Sequence, residues 1–405
     1  MDPWDMELMD VAEAREGPAL APDTSGSSGS SGSSGLGEGA GSLAGVLNDV
    51  NDWLERFICT TTPEDLHLLT VWIAHTYVVE QTYTTPRLQI DSVMPGSGKT
   101  TALEHIAHLA RHPLSASTIS SEALLPRVLA RGIRTVLIDE ADRSLDQKNP
   151  IMAGVLATIN TGYKRGGSRP VLEKDAEGNW IDREMSTFSP VALAGNNPNL
   201  PDDTRSRCIR VLLMPDLDGT VEPSDWEDLE DDADRLRATL ADHMDAARDL
   251  VGSVRPELPP GCVARSREKW RPLARVAHAA GGVWPERVER LILRDLADLE
   301  AERDEGLLNR PLRVHLLHDL ADAWRTGETF VPSPELVARL AVNEPDRWGA
   351  GSPKGALQVQ GLGRMLAGGF KITSTREKGG QRRRGYTRAD LEPTWRRFHV
   401  ATPGE

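Results

Sequence analysis

The segment MPGSGKTTAL, residues 94–103, constrains the fold of this chain more than any other. A short predicted strand over 87–92 precedes it, and a predicted helix over 99–111 follows it. Gly96 and Gly98 let backbone N–H groups surround a phosphate, and the N-terminus of the following helix faces the same anion. Lys99 would neutralise phosphate charge, and the Thr100 hydroxyl could ligate magnesium. We therefore predict a site for ATP and Mg²⁺ that is lined by Gly96, Ser97, Gly98, Lys99, Thr100 and Thr101.

A second predicted strand ends in two carboxylates. Residues 135–138 read TVLI, and Asp139 and Glu140 follow directly. Buried aliphatic residues bring the first carboxylate to the carboxyl edge of a sheet. There Asp139 can hold the magnesium shell through water, and Glu140 can polarise the attacking water. Together with the upstream loop, this pair predicts ATP hydrolysis.

The third strand, predicted over 189–195, is followed by two asparagines. Either Asn196 or Asn197 could hold the lytic water or sense the γ-phosphate, and we favour Asn196. The alternative is that the amide only caps a turn before Pro198.

Arginines precede the fourth strand, which is predicted over 208–214. A guanidinium displayed there could reach the γ-phosphate on a neighbouring subunit and stabilise transferred charge. We assign this role to Arg207 rather than Arg205. The alternative is a surface arginine that pairs with Asp202 or Asp203.

Alternating strands and helices predict a parallel α/β sheet. We divide the chain into a disordered acidic and Gly/Ser-rich tail over 1–42, an ATPase core with N-terminal helices over 43–215, an acidic linker over 216–234, a helical lid over 235–330, and a basic winged-helix-like domain over 331–405. The tail could also be a docking peptide for a partner, but we favour a solvated tail.

Composition and charge exclude several classes of protein. The chain is 39% hydrophobic and 27% charged, which is typical of a globular protein. No run approaches ~18 apolar residues, and the acidic start does not resemble a secretory signal, so we expect no membrane partner. Three isolated cysteines fit a reducing cytosol, so we predict a cytoplasmic protein. The net charge of -14 is concentrated in 1–43 and 216–234, and the remainder carries net +3, which does not exclude nucleic acid.

The four motifs occur in the order found in AAA+ ATPases. Longer matching segments are VWIAHTYVVEQTYTTPRLQI, GSGKTTALEHIAHL, VLIDEAD, SPVALAGNNPNLPDDTRSRCI, EKWRPLARVAHAAGGVWPE and RGYTRADLEPTWRRF. On these segments the chain resembles an uncharacterised P-loop (AAA+-like) ATPase domain family of phage and actinobacterial proteins, often found at the C-terminal end of phage primase–helicase polypeptides. The resemblance implies an α/β P-loop NTPase (AAA+-like) parallel sheet, a helical lid and a C-terminal winged-helix-like unit. It also implies a bacterial cytoplasm, either of a bacterium or of a phage host.

An insertion before the third strand predicts a β-hairpin in which 168–174 pairs with 180–186. It resembles the pre-sensor hairpin that superfamily III helicases project into the DNA channel. In that role Trp180 would stack on a base, and four cations would contact phosphates. These cations are Lys164, Arg165, Arg169 and Lys174. The alternative is a hairpin that packs on its own subunit, with Trp180 as the anchor.

Within the lid, VARSREKWRPLARVAHAAGG resembles the lid of the same family. The resemblance assigns Arg265 as a second sensor that reaches back to the nucleotide, with Arg267 as the alternative. We expect Trp270 and Trp284 to be core residues, because aromatics at such positions usually pack.

The C-terminal unit resembles a winged helix, with a helix over 357–367 and a wing over 372–388. Residues 371–397 hold nine bases and three acids. We expect DNA phosphate contacts from the basic residues around a Gly-Gly turn, namely Lys378, Arg382, Arg383 and Arg384. The alternative is a basic hairpin that neutralises the acidic segment or the tail.

These features predict a DNA-associated AAA+-like ATPase that forms a homo-oligomeric ring. It would be a helicase or translocase component of phage or mobile-element DNA replication, with a partner such as a primase. One alternative is a helicase loader or switch ATPase that recruits a partner protein without unwinding. Another is a DNA-binding regulator that ATP assembles.

Overall fold

The computed structural model divides the chain into two units, Met1–Asp298 and Leu299–Glu405. The structure describes residues 41–92, 94, 96–116, 119, 121–144, 150–174, 177–196, 200–304, 312–352, 355–377, 382–398 and 400–401. The predicted tail over 1–42 lies outside these ranges except for its last two residues. Asn197 and Lys378 also lie outside them.

A five-stranded parallel sheet lies at the centre of the first unit. Its strands, and the two strands of a separate hairpin, are β1 (Arg87–Ser92), β2 (Pro113–Ala116), β3 (Thr135–Ile138), β4 (Ser168–Lys174), β5 (Trp180–Ser186), β6 (Val191–Gly195) and β7 (Cys208–Leu213). The order across the sheet is β2-β3-β6-β1-β7, and every neighbouring pair is parallel. Each residue of β1 is buried, as expected of a strand covered on both faces. The predicted parallel α/β sheet is therefore confirmed.

Helices surround this sheet in the first unit. They are α1 (Leu43–Phe57), α2 (Glu64–Tyr77), α3 (Lys99–Leu109), α4 (Leu124–Ala130), α5 (Ala141–Ser144), α6 (Pro150–Thr161), α7 (Asp202–Arg205), α8 (Trp226–Ala246), α9 (Arg248–Ser253), α10 (Ala264–Ala280) and α11 (Trp284–Asp304), whose C-terminal end extends past the end of the unit at Asp298. The Ser42 hydroxyl caps α1 by accepting the Gly45 N–H at 3.2 Å. Trp270 and Trp284 are buried, which confirms their predicted place in the core. Across the described ranges, no helix combines the length and apolar character needed to cross a bilayer.

The acidic segment, predicted as a linker over 216–234, is helical from Trp226 onward. The carboxylate of Asp225 caps α8 by accepting the Glu227 N–H at 3.1 Å. Leu229 and Ala233 are buried in the core that α8 shares with α1 and α3. The segment therefore differs from the predicted linker, because its carboxylates favour a helix N-terminus while its apolar residues recur at helical spacing.

The second unit has its own core and a three-stranded antiparallel sheet. Its elements are α12 (Leu312–Ala323), β8 (Phe330–Pro332), α13 (Ser333–Asn343), α14 (Pro345–Trp348), α15 (Val359–Phe370), β9 (Thr375–Arg376), β10 (Arg384–Thr387) and α16 (Arg388–Arg397). The sheet order is β8-β10-β9. Trp348, Trp395 and Tyr386 are buried in the core. The predicted helix and wing correspond to α15 and the β9–β10 pair.

Two buried histidines, His75 and His105, should make the folded first unit less stable in acid. The Trp53 indole N–H donates to Nδ1 of His105 at 3.0 Å, so His105 carries its proton on Nε2, which lies 2.9 Å from the Ser224 hydroxyl. Burial lowers the pKa of His105 to about 4 and that of His75 to about 3. Because an unfolded histidine titrates near ~6.5, unfolding takes up protons below that pH.

We therefore expect these histidines to add no pH dependence above about pH 7, and the free energy of unfolding to fall as the pH decreases below ~6.5. Denaturant titrations at several pH values measure this slope, which is ~1.4 kcal/mol per pH unit for each proton taken up. In a His105→Gln variant the slope should decrease by about one proton. Equal slopes in the two proteins would contradict a neutral His105 in the folded state.

Candidate nucleotide site

The loop between β1 and α3, which is predicted to hold phosphate and is called the phosphate loop below, has the backbone that a phosphate cradle requires. Gly96 and Gly98 adopt φ values of 80° and 78°, in the left-handed region where a side chain would be strained. Ser97 is buried, and its hydroxyl donates to the carbonyl of Met94 at 2.9 Å. Helix α3 begins at Lys99. The predicted glycines, Ser97, Lys99, Thr100 and Thr101 thus form one loop and the first turn of α3.

Lys99 links the ends of two neighbouring strands. Its ammonium donates to the Ser92 hydroxyl at 2.5 Å and to Oδ1 of Asn196 at 2.7 Å. Ser92 is the last residue of β1, and Asn196 follows β6. The Ser92 hydroxyl also lies 3.1 Å from Oδ1 of Asn196. The structure therefore brings the predicted lysine and the favoured asparagine into one hydrogen-bonded group.

The two predicted magnesium residues also meet. The Thr100 hydroxyl donates to Oδ2 of Asp139 at 2.9 Å. The other carboxylate oxygen of Asp139 accepts the backbone N–H of Glu140 at 2.7 Å. Glu140 is exposed and has a φ of 50°, which is uncommon for a residue with a side chain. Strained backbone of this kind clusters at functional sites.

Two residues that the sequence did not single out complete the cluster. Ser92 joins Lys99 to Asn196. Oδ1 of Asp142 accepts the backbone N–H of Asn196 at 3.1 Å. A Cβ on Gly195 would lie 2.8 Å from that same oxygen, so glycine permits the close approach. In the sequence, these two residues could have been found as the serine that ends β1 and as the second aspartate of the segment DEAD, residues 139–142.

Arg207 lies at the opposite edge of the sheet. The Arg87 N–H at the start of β1 donates to the Arg207 carbonyl at 3.0 Å, whereas the phosphate loop follows the end of β1. The Arg207 guanidinium contacts the carbonyl and carboxylate of Asp203, and its carbon lies 5.6 Å from the centroid of the Tyr163 ring. The six residues of β1 span about 20 Å at ~3.3 Å per residue, so Arg207 is remote from the loop of its own chain.

Arg205 and Arg207 both make the ion pairs of the alternative interpretation. Arg205 pairs with Asp202 at 2.8 Å, and its side chain is 48% exposed. The side chain of Arg207 is only 14% exposed. Ion pairing therefore does not distinguish the two arginines. The Arg207 side chain is held more firmly, because it is more buried and lies near the Tyr163 ring.

The structure does not bring Arg265 to the phosphate loop of its own chain. The Arg265 guanidinium carbon lies 5.3 Å from the Tyr163 ring centroid, and its guanidinium pairs with Glu268. Lys164 pairs with the same carboxylate at 2.8 Å. Arg265 therefore shares its surroundings with Arg207, which corrects the expected reach from the lid to the nucleotide of the same chain.

The cations predicted for the hairpin separate into two places. Arg165 donates to the carbonyl of Thr82 at 2.8 Å, and Arg169 donates to the carbonyl of Gly154 at 2.5 Å. These two and Lys164 are tied to the body of the unit. The Lys174 ammonium lies 5.2 Å from the centroid of the Trp180 ring, at the outer end of β4 and β5. The structure therefore does not place Lys164 and Arg165 beside Lys174 and Trp180.

Trp180 is 62% exposed, so it does not anchor the hairpin to its own subunit. That excludes the packing alternative for this side chain. Residues 168–186 contain three bases and five acids, which weakens the case for an electrostatic phosphate contact by the hairpin.

The wing displays the predicted arginines that lie within the described ranges. Arg382, Arg383 and Arg384 are exposed. Nε of Arg383 lies 3.2 Å from the carboxylate of Glu377. Arg384 lies opposite Arg376 in the β9–β10 pair. The wing thus presents a basic surface with one internal ion pair.

Fold and site together define an α/β protein with a five-stranded parallel sheet and a polar cluster at its carboxyl edge. Residues 217–398 match a family model described as "Protein of unknown function (DUF3631)". This match spans the acidic segment, the later helices and the second unit, but not the phosphate loop.

Two further comparisons extend this result. The chain is 30% identical over 170 residues to "Uncharacterized 28.9 kDa protein in xis 5'region" of Saccharopolyspora erythraea. That alignment covers 42% of this chain and 61% of the relative, less than two thirds of its length. A solved structure of the NrS-1 C-terminal region (305-718) is 14% identical with a TM-score of 0.40, covering 85% of this chain and 74% of that one.

Proposed function

We propose that this chain is an AAA+-type ATPase that associates with DNA, acts as a ring, and drives movement on DNA in phage or mobile-element replication. The strand order carries the proposal, because β6 lies between β1 and β3. Asn196 therefore lies between the phosphate loop and Asp139, and three of the predicted elements, the loop, the Asp139–Glu140 pair and Asn196, converge at one sheet edge. Parallel strands end on the same side, so this convergence follows from the topology.

The loop residues would bind the triphosphate of ATP. Backbone N–H groups of 96–100 and the start of α3 favour an anion. The Lys99 ammonium would exchange its contacts with Ser92 and Asn196 for phosphate oxygens. Asn196 would then have its amide available to orient the attacking water.

Thr100 and Asp139 fit a magnesium site. Each offers an oxygen, and the two side chains already lie within hydrogen-bond distance. Mg²⁺ retains several waters and takes its other ligands from substrate phosphates, so two protein oxygens suffice. When bound, the ion neutralises charge on the β- and γ-phosphates. Glu140 follows Asp139 and would accept a proton from the attacking water.

A second basic surface would hold DNA. The wing arginines are exposed and belong to a segment with nine bases and three acids. Such a surface binds phosphates with little sequence preference. Trp180 adds an exposed aromatic ring that can stack on a base in single-stranded DNA. Electrostatic binding is thus assigned to the wing, and stacking to the hairpin.

Replacing Arg382, Arg383 and Arg384 together with Ala should weaken DNA binding and reduce its dependence on salt. DNA binding releases fewer counterions when fewer phosphates are neutralised. On duplex DNA, the magnitude of the slope of log affinity against log salt should decrease by about 0.9 for each phosphate contact that the variant loses. Titrations at several salt concentrations measure both quantities.

A charge-matched control replaces three arginines that each pair with an acid on their own helix. These are Arg235, Arg237 and Arg290. The control should keep parental affinity and slope. If the wing variant also kept both, the basic hairpin would not be the DNA contact.

The test of the proposed function is ATP turnover with and without single- and double-stranded DNA, followed by strand displacement. Turnover stimulated by DNA together with displacement supports a helicase. Turnover without displacement supports a loader or switch ATPase. ATP binding without turnover would leave ATP as an assembly ligand, and the proposed ATPase would be wrong.

A further inference from the structure

Two arginines share one buried aromatic ring at the amino edge of the sheet. The guanidinium carbons of Arg207 and Arg265 lie 5.6 and 5.3 Å from the centroid of the Tyr163 ring. Tyr163 is fully buried, and its carbonyl accepts the Thr85 N–H at 3.0 Å, just before β1. Arg207 precedes β7, and Arg265 lies in the first turn of α10. Two distant parts of the sequence therefore present guanidinium groups at one place.

A third arginine at this ring is structural. Arg87 is completely buried, and its guanidinium donates to the carbonyls of Ser189 and Ile159 at 2.5 Å each. Its side chain is committed to the backbone of its own chain. Arg265, by contrast, has a side chain that is 35% exposed and that pairs with Glu268.

The charges around Tyr163 leave a positive excess. Glu268 is shared between Arg265 and Lys164, and Asp203 pairs with Arg207. Three cations thus face two carboxylates, and buried Arg87 adds a fourth positive charge. An incoming polyanion can replace a carboxylate as the partner of a guanidinium.

We infer that Arg265 acts in trans, together with Arg207, on the polyphosphate held by the phosphate loop of a neighbouring copy. The inference rests on the proposed ring ATPase and assigns Arg265 to a subunit interface rather than to its own nucleotide. The reason is geometric, since Arg265 and Arg207 share Tyr163 while β1 separates that ring from Lys99. Because both guanidinium carbons lie within 5.6 Å of the same ring centroid, Arg265 belongs with Arg207 at the face that would receive this polyphosphate.

The test uses the full chain and the ATPase rate. Arg265→Ala should bind ATP and lose about 100-fold in kcat, as expected for one preorganised donor at developing charge. Mixed with Lys99→Ala, it should recover activity, because a mixed interface joins the intact loop of one chain to the intact arginines of the other. If Arg265 acted within its own chain, every loop in the mixture would lack either Lys99 or its sensor, and no activity would return.

Two further variants keep the result interpretable. Arg265→Lys retains the charge and should recover part of kcat even if Arg265→Ala folds poorly. Arg290→Ala removes an exposed arginine that pairs with Glu286 on its own helix, and it should keep the parental rate.

Parental turnover by Arg265→Ala, or reduced turnover without recovery on mixing, would overturn the inference while leaving the ATPase intact. An inactive parental protein would instead reject the proposed function. The two failures are therefore distinguishable.

Discussion

The Glu140→Gln protein is expected to bind ATP with parental affinity while its kcat falls by about 100-fold or more. Only the proton acceptor is removed, and a positioned general base contributes roughly 100- to 10,000-fold. Glutamine has nearly the same size as glutamate. The hydrogen bond that the Asp139 carboxylate accepts at 2.7 Å comes from the backbone N–H of residue 140, which the substitution does not alter. The fold of the loop should therefore be unchanged.

Lys99→Ala provides the contrasting variant. It removes the ammonium that bridges Ser92 and Asn196 and that would contact the phosphates of ATP. The variant should therefore lose nucleotide binding, rather than only slow the chemical step. Calorimetric titration with ATP and a phosphate-release assay separate the two effects. Parental turnover by Glu140→Gln would show that another group accepts the proton, and parental ATP binding by Lys99→Ala would reject the loop as the nucleotide site.

Much of this site could be predicted because parallel strands align their carboxyl ends. Three separate motifs, each consisting of a predicted strand followed by polar residues, reach the same side of the sheet because the strands are parallel, and the strand order makes them neighbours. The contacts of Lys99 with Asn196 and of Thr100 with Asp139 agree with that prediction. Local sequence thus determines which residues reach the edge.

Contacts that depend on packing between strands could not be predicted. Ser92 and Asp142 acquire their roles from the Asn196 side chain and backbone, which come from a distant part of the chain. The position of Arg265 depends on how α10 packs beside Tyr163, so its resemblance to a second sensor did not indicate which nucleotide it faces. Strand β2 was also missed, because PLSA shows neither alternation nor an apolar run.

Arg207→Ala should bind ATP normally and lose about 1,000-fold or more in kcat, because a trans-acting arginine stabilises charge that develops only during transfer. The structure supports action on a neighbouring copy, since Arg207 lies beside the start of β1 and the phosphate loop follows its end. The guanidinium is held by Asp203 and lies against Tyr163, so it has a fixed starting position. Phosphate would replace the carboxylate of Asp203 as its partner.

Mixing experiments separate a ring from a self-contained enzyme. Arg207→Ala and Lys99→Ala proteins should each be nearly inactive, and a mixture should recover activity at interfaces that combine an intact loop with an intact arginine. Arg205→Ala is the matched control, because Arg205 lies two residues away and pairs with Asp202 at 2.8 Å on the surface. It should turn over ATP near the parental rate.

The contrary outcomes identify which part of the assignment is wrong. If Arg207→Ala turned over ATP normally while Arg205→Ala failed, the trans-acting arginine would be Arg205, whose side chain is 48% exposed and needs less rearrangement to reach a neighbour. If Arg207→Ala were inactive and no mixture recovered, Arg207 would support its own subunit through Tyr163 and Asp203. Normal turnover by both single variants, in a protein that stays monomeric with ATP, would reject the ring, since no contact between copies would then contribute to hydrolysis.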